Sequence, residues 1–476
     1  GLSFLLRNEA AAVENDLIIS GTAGALLDIA DGRSAILSGV ISGAGQLIKY
    51  GNGTLVLAGK DHHTGGTDVQ FGTLVLASGE AIADDSHISV GTFGTLQVAQ
   101  TEAIDRITGN GSIVIGDATL IVGGYNGDSI ISGVISGDAA TVQLRKEGTG
   151  TLELLRENTY SGKTHIRGGR VVAGASQAFG TGAVEFIQPS EGRNVLELTN
   201  GVNLSNVMLF GSHVILENND FATLSGILEG NRGLAITKMG RGTISLSGHN
   251  DYIGPQAIVR EGALSFDGRF NNNVEAAFGG TVTGSGYIDG HVEIADGGRL
   301  YGQYDRTLTM ASLTLNENSD IEILVDEPGT QAFFEIQGDL VLDGRLAIDD
   351  DVGTAFGRGV YRLFNYGGSL TDNGLEVVGL PDDSEFDIGD IEIQTAIDKQ
   401  VNIVVDGDPG PGPDPRPNTQ FWDGSGTTAD GVISGGYGIW RTGTTNWTRT
   451  NGEVNDSWGG RFAVFQGEPG TITVSD

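Results

Sequence analysis

A nine-residue segment occurs three times in this chain, and this repetition restricts its fold more than any other feature. The copies are residues 49–57 (KYGNGTLVL), 146–154 (KEGTGTLEL) and 238–246 (KMGRGTISL), which lie 146 − 49 = 97 and 238 − 146 = 92 residues apart. Each copy ends in the period-two alternation of a half-buried strand, and its two glycines permit a tight turn before that strand. Internal repeats of this kind indicate an array of stacked elements. We therefore expect a solenoid.

The composition narrows the kind of solenoid. Glycine is abundant (78 residues) and proline scarce (10), so turns are dense and mostly built from glycine. No long segment combines a helical period with good caps, which predicts little or no α-helix. A right-twisted strand that feeds a parallel neighbour winds into a right-handed coil. The predicted fold is therefore all-β, a right-handed parallel β-helix.

The charge excludes some partners. The chain has 61 acidic and 27 basic side chains, for a net charge of −34. Such a field repels phosphate backbones and anionic membranes, so we expect no binding to nucleic acid and no direct binding to lipid. It also discourages exposed strands of different molecules from pairing. Diffuse binding of cations is the alternative role for the charge.

The segments around the nonapeptides resemble the strand repeat of bacterial autotransporter passenger domains. Residues 225–254 and 132–164 both follow the order of that repeat, from the Ser-Gly segment through Lys-x-Gly-x-Gly-Thr to Asn-x-Tyr-x-Gly. The first copy differs because it has His62 and His63 in place of Asn-x-Tyr. The resemblance covers about residues 38–270. It implies the passenger of a monomeric (type V secretion) autotransporter adhesin, exported across the outer membrane of a Gram-negative bacterium to the cell surface. It also implies a link to an outer-membrane β-barrel in the full protein.

The resemblance and the composition together predict four segments. These are a β-helix over 1–283 with repeat blocks at about 38–131, 132–224 and 225–283, a C-terminal β-helix segment of the passenger unit over 284–405, a Pro/Gly/Asp linker over 406–418, and the start of a second passenger-like unit over 419–476. In this family, the C-terminal β-helix segment can nucleate folding. The chain starts without Met and stops within a strand-like run, so we expect it to be part of a longer protein.

No catalytic residue, metal site or cofactor is predicted, and the binding residues are left unassigned. The four tryptophans, Trp422, Trp440, Trp447 and Trp458, could form a platform for carbohydrate stacking, but we favour the interpretation that they fill and cap the first coils of the second unit. The acidic runs at 349–351 and 382–387 lack the spacing of a calcium-binding loop, so we interpret them as solvated turns.

Three other motifs are weak candidates for chemistry. Adjacent residues on a strand point to opposite faces, so His62 and His63 would chelate a metal poorly, and we expect an exposed polar turn. The segment around Ser129 resembles the nucleophile region of some esterases but has no matching His partner. The three equivalent lysines of the nonapeptide indicate a structural feature of the entry to a coil.

Adhesion is the predicted function, through the faces and turns of a β-helix rod. The predicted partner is a host extracellular-matrix or cell-surface protein or glycan, or a sibling passenger. The first alternative is a passive stalk that presents a distal tip, and the second is a β-helix carbohydrate-active enzyme; we predict that the chain is not an enzyme. A stalk should have short turns throughout, whereas an adhesive part should have longer insertions or an apolar patch.

Overall fold

The computed structural model describes residues 2–6, 10–20, 24–138, 142–230, 235–250, 256–350, 356–382, 384–406, 419–459 and 462–475. These residues form short β-strands with one 3-10 turn, Ile388–Asp390, and they contain no α-helix. None of the helical structure in this part of the chain is long and apolar enough to cross a membrane. The chain divides into two compact units, Gly1–Ile258 (unit 1) and Val259–Asp476 (unit 2), which are described in turn.

Unit 1 is a parallel β-solenoid with several faces. Strand partners in successive coils lie between 112 − 95 = 17 and 196 − 171 = 25 residues apart, as in the pairs Thr95 with Ser112 and Val171 with Leu196. The first face contains Leu2–Leu6, Ala25–Ile29, Leu47–Tyr50, Arg106–Gly109, Ser129–Ile131, Thr151–Leu154, Gly169–Ala173, Asn194–Leu198, Val214–Glu217 and Ile236–Met239. The prediction of an all-β parallel solenoid is confirmed.

The other faces of unit 1 are built in the same way. The second face contains Ala10–Val13, Ser34–Leu37, Thr54–Leu57, Ser112–Ile115 and Ile135–Ser136, while the long strands Thr67–Leu76 and His87–Val98 run through both the first and the second face. The third face contains Glu102–Ile104, Leu120–Val122, Val142–Lys146, Lys163–Ile166, Val184–Phe186, Met208–Phe210 and Leu228–Gly230. A further face contains Asn203–Leu204, Phe221–Leu224 and Thr243–Leu246, and the remaining strands are Leu17–Ile18, Ile41–Ser42 and His249–Asn250.

The interior of unit 1 consists of columns of apolar side chains. Because the strands are parallel and in register, every second residue points inward and stacks on its partner in the next coil. On the second face the buried column is Ala35, Leu55, Leu74, Leu96, Ile113 and Ile135. Burying a Leu or Ile side chain contributes about 1.5–3 kcal/mol, so these columns supply the main cohesion between coils.

The repeated lysines are buried at corners of the coils. Lys49 is fully buried, and its Nζ donates to the carbonyls of Tyr50 (3.0 Å) and Gly51 (2.6 Å), and to that of Phe71 in the next coil (3.0 Å). Gly51 has a φ of 74°, a left-handed conformation that favours glycine, and a Cβ there would lie 2.3 Å from the carbonyl oxygen of Ile29. The Lys-x-Gly sequence therefore closes a corner and ties it to the coil that follows.

The second and third copies build the same corner. Lys146 donates to the carbonyls of Glu147 (2.5 Å), Gly148 (3.1 Å) and Gly168 (3.4 Å), and Lys238 donates to those of Met239 (2.8 Å) and Gly240 (2.7 Å). However, Lys49 and Lys238 lie on the first face whereas Lys146 lies on the third. The repeat thus specifies a type of corner, not a fixed face of the solenoid.

The ammonium groups of Lys49 and Lys146 are mostly charged at neutral pH. Burial lowers the pKa of Lys49 and of Lys146 to about 8, although the carboxylate of Asp28 acts in the opposite direction at Lys49, as do those of Asp128 and Asp105 at Lys146. A charged donor that serves two or three carbonyls forms stronger hydrogen bonds than a neutral donor.

Unit 2 continues with parallel strands and ends in antiparallel ones. Its parallel strands are Gly262–Phe266, Arg269–Phe270, Val274–Ala276, Gly280–Gly284, Tyr287–Ile294, Arg299–Gln303, Leu308–Leu315, Asp320–Val325, Phe334–Ile336, Leu340–Leu342, Arg345–Asp350, Gly359–Tyr366, Leu370–Asp372 and Glu376–Gly379. Gln400–Val405 pairs antiparallel with both Gly359–Tyr366 and Ile391–Gln394. The strand Ala257–Val259 lies at the boundary between the two units.

The last part of unit 2 forms two small sheets. In one of them Thr419–Trp422 pairs with Trp447–Thr448 and Phe462–Val464, and Asn455–Asp456 pairs with Trp447–Thr448. In the other, Gly438–Trp440 pairs with Ile472–Val474. The predicted linker at 406–418 lies outside the described residues apart from Asp406. The segment boundaries at 283, 405 and 418 stay predictions.

Replacing Lys146 by Met should destabilise unit 1. The change keeps a similar side-chain length but leaves buried carbonyls without a donor, which costs about 1–3 kcal/mol. The matched control is Lys163→Met, because Lys163 is half-exposed and forms a surface ion pair with Glu185, worth about 0–1 kcal/mol. Urea unfolding followed by circular dichroism would measure both variants, and equal effects would contradict the structural role of the buried lysine.

Candidate functional site

The outer surface of the second face of unit 1 carries no charged side chain over five successive coils. Its outward residues form two in-register columns, one of Ser34, Thr54, Thr73, Thr95 and Ser112, and one of Ile36, Val56, Val75, Gln97 and Val114. The chain as a whole has a net charge of −34, and none of its charged side chains lies in these two columns. We call it the uncharged face.

Three aromatic side chains border the uncharged face at the corner that joins it to the first face. The ring centroids of Tyr50 and Phe71 lie 5.0 Å apart, edge to face, and those of Phe71 and Phe93 lie 5.5 Å apart with nearly parallel rings. Phe93 is 71% exposed, and Tyr50 is also exposed. We call these three residues the aromatic ladder.

The strands themselves produce the ladder. Thr67–Leu76 and His87–Val98 run through the corner without a break, and Phe71 and Phe93 are register partners there. In the coil after Phe93 the corner holds Asn110 and Gly111, and Thr92 donates to the side chain of Asn110 (3.1 Å). Exposed apolar surface that borders a flat sheet is typical of interaction sites, and aromatic rings suit both protein and sugar partners.

The tryptophans of the last segment pack against one another. Trp422 and Trp447 are buried, and the centroids of Trp440 and Trp458 lie 4.9 Å and 4.5 Å from that of Trp447. The indole nitrogen of Trp422 donates to the carbonyl of Gly436 (3.1 Å). This arrangement agrees with the interpretation that the tryptophans fill an interior, since two of the four rings are not accessible for stacking on a sugar.

His63 corrects one expectation from the sequence. We expected His62 and His63 to lie in an exposed polar turn, but His63 is fully buried and only His62 is exposed. The two ring nitrogens of His63 contact Oδ1 of Asp61 (2.5 Å) and the carbonyl of Gly66 (2.9 Å), and both partners are acceptors. Burial works against the charged ring, but the hydrogen bond and the charge of Asp61 raise the pKa of His63 overall. Because both ring nitrogens have acceptor partners, this environment favours the imidazolium form of His63.

The second copy shows what Asp61 and His63 replace. At the equivalent positions, Asn158 accepts from the backbone of Ile135 (2.7 Å) and donates to the carbonyl of Ala178 (2.6 Å), while the hydroxyl of the buried Tyr160 lies 2.7 Å from that of Thr164. In the first copy the contact between His63 and Asp61 takes the place of these neutral hydrogen bonds. Both ring nitrogens of His63 are therefore engaged by neighbouring residues of the same coil and are not available to a metal.

In the part of the chain that the structure describes, Ser129 and the acidic runs show no arrangement suited to catalysis or metal binding. The hydroxyl of Ser129 is buried and accepts from the backbone of Ile107 (2.9 Å), so it is not placed to attack a substrate. Across the described ranges, no three His, Asp or Glu side chains group as metal ligands would. Asp351 and Asp383, which belong to the acidic runs, lie outside those ranges.

Comparison with known proteins agrees with the fold. The model of the passenger-associated-transport-repeat matches residues 47–76 and 144–173, which include the first two lysine corners. The adhesin BmaC autotransporter of Brucella suis biovar 1 (strain 1330) is 32% identical over 299 residues, which cover 56% of this chain and 8% of that protein. The chain thus has the repeats, the fold and the sequence similarity of a passenger domain of an autotransporter adhesin, a class that is exported to the outer surface of the cell. It spans a small part of the length of this relative.

The buried carboxyl group of Glu102 should make the stability of unit 1 depend on pH. It is buried on the third face and accepts from the backbone of Ile82 (3.0 Å) and Ala81 (3.4 Å). Its pKa is raised to about 7, mainly by burial and also by the negative charges of Asp84 and Asp61, while the two hydrogen bonds act the other way. A folded-state pKa above the unfolded value of 4.5 means that the stability from protonated Glu102 is complete below pH 4.5 and is lost as the pH rises through 7.

Replacing Glu102 by Gln should remove this dependence. The variant should match the wild type near pH 4.5 and become more stable than the wild type by up to about 3 kcal/mol at pH 8, since each pKa unit corresponds to about 1.4 kcal/mol. Urea midpoints of both proteins at pH 4.5, 6, 7 and 8 would measure the difference. A constant difference across this range would contradict the raised pKa.

Proposed function

We propose that the chain is a cell-surface adhesin that binds its partner through the uncharged face and the aromatic ladder of unit 1. The partner class is a host extracellular-matrix or cell-surface protein or glycan, or a sibling passenger. The observation that carries the proposal is an outward-facing, charge-free surface bordered by three aromatic side chains, two of them exposed, in a chain with a net charge of −34.

Charge explains why this surface suits binding. Elsewhere the negative field repels other cell surfaces and other copies of the chain, which are also negative. At the uncharged face this repulsion is weakest, and burial of aromatic rings supplies favourable energy. The columns repeat from coil to coil, so one partner can make many equivalent weak contacts along them.

The passive stalk remains a second candidate. The observation in its favour is the regularity of unit 1, where coils of 17–25 residues follow one another with tight glycine corners. We do not propose an enzyme, because the relative is named an adhesin and the matching repeat is a transport repeat of passengers.

An array of matrix proteins, glycans and whole cells would test the proposal with the purified chain. The double variant Phe71→Ser/Phe93→Ser should lower binding at least about tenfold, the effect of losing roughly 1.4 kcal/mol of contact energy. The matched control is Phe278→Ser, since Phe278 is 82% exposed but belongs to unit 2 and not to the ladder. This control should bind like the wild type.

Two results would contradict adhesion through this face. Saturable binding that is unchanged in the double variant would mean that another surface carries the adhesion. Absence of binding to every member of the array, from a chain whose circular dichroism shows folded β-structure, would favour the stalk.

A further inference from the structure

We propose that a cavity in unit 2 binds a cationic side chain, that of an arginine, from a protein partner. This site is separate from the uncharged face, so it can be tested independently of the function proposed above. Its floor is apolar and aromatic, and its rim carries three carboxylates.

The cavity arises from a long connection between two strands. Eight residues, 326–333, join Asp320–Val325 to Phe334–Ile336, whereas only four, 304–307, join the equivalent strands Arg299–Gln303 and Leu308–Leu315 one coil earlier. The connection is fixed against Gly359–Tyr366 by backbone hydrogen bonds that join Gly329 to Val360 and Arg362 (3.0 and 3.3 Å). The extra length leaves a cavity of about 390 Å³ between the two connections.

The floor of the cavity is formed by buried side chains. Ala332, Phe333 and Tyr361 line it and are almost inaccessible to solvent. Tyr361 is held in place because its hydroxyl accepts from the backbone N–H of Gly357 (3.0 Å) and donates to the carbonyl of the same residue (3.1 Å). These buried side chains give the cavity an apolar floor, in which the ring of Tyr361 stacks on that of Phe356 with centroids 5.6 Å apart.

The rim is acidic. Asp305, Asp326 and Glu327 line the cavity, and in the described part of the chain none of them forms an ion pair. Burial raises the pKa of Tyr361, and the negative charges of Asp326, Asp350 and Glu327 also raise it. Asp326 and Glu327 belong to the rim, so the negative charge of the rim acts on a residue of the floor.

Two arginines also line the cavity, and their positive charges offset part of the negative charge of the carboxylates. Arg362 is buried, and its guanidinium donates to the side chains of Asn402 (2.6 Å) and Asn365 (2.8 Å). Asn365 in turn donates to Glu335 (2.9 Å), whose carboxylate offsets the charge of Arg362. Arg306 is the remaining cation, so the rim keeps an excess of negative charge.

This combination selects a cation with an extended apolar stem. A guanidinium forms paired hydrogen bonds with the carboxylates of the rim, and the apolar stem of the arginine side chain can pack on the floor. An anion would be repelled by the rim. A neutral apolar group would take the carboxylates out of water without providing a partner, which is unfavourable.

Saturation-transfer NMR with Nα-acetyl-arginine methylamide tests the proposal, and the citrulline analogue is the control ligand because it has nearly the same shape without the charge. We expect saturable binding of the arginine compound and at least tenfold weaker binding of the citrulline compound. The variant Asp326→Asn/Glu327→Gln should lose arginine binding to the same extent. The variant Glu376→Gln/Glu392→Gln makes the same change of charge at exposed positions of unit 2 outside the cavity, and it should bind arginine like the wild type.

Each other outcome overturns the proposal. Equal binding of the two compounds would mean that charge does not matter, and equal loss in both double variants would mean diffuse attraction to a negative protein. Failure of the folded wild-type chain to bind the arginine compound would remove the site. Thermal unfolding of both variants distinguishes lost binding from lost folding.

Discussion

Backbone hydrogen bonds between parallel strands of successive coils are the interaction on which the rest of unit 1 depends. They hold each residue beside its counterpart 17–25 positions further along the chain, so side chains of one type accumulate in columns. The same register that stacks Leu55, Leu74 and Leu96 inside also aligns Thr54, Thr73 and Thr95 outside. Core and candidate binding surface are thus two consequences of one register.

The corners make this register possible. A chain that turns sharply between strands leaves carbonyl groups pointing into the interior, where each needs a donor. The buried lysines supply these donors, and the left-handed glycine beside each one lets the backbone turn. Burying an ammonium group is unfavourable unless several acceptors are held around it in a fixed geometry. This explains why the whole nonapeptide recurs and not the lysine alone.

The sequence predicted the solenoid and the structural role of the lysines, because both follow from the repeat itself. It did not predict the faces on which the copies lie: coil lengths vary, so Lys146 falls on the third face while Lys49 lies on the first. The aromatic ladder was not predicted either, although the sequence FGTL occurs at both 71–74 and 93–96. Its alignment depends on a register shift between Val90 and Phe93, which no pattern reveals. The burial of His63 was missed because a histidine takes the place of a buried tyrosine.

Cysteine cross-linking tests the register most directly, since the chain contains no cysteine of its own. Thr54 and Thr73 are register partners in adjacent coils, where parallel strands lie about 4.8 Å apart, a spacing that a disulfide can bridge. Thr54 and Thr95 are two coils apart, at about 10 Å, beyond that reach. Mild oxidation should therefore cross-link Thr54→Cys/Thr73→Cys and leave Thr54→Cys/Thr95→Cys reduced. The opposite pattern would contradict the register, and with it both the stacked core and the uncharged face.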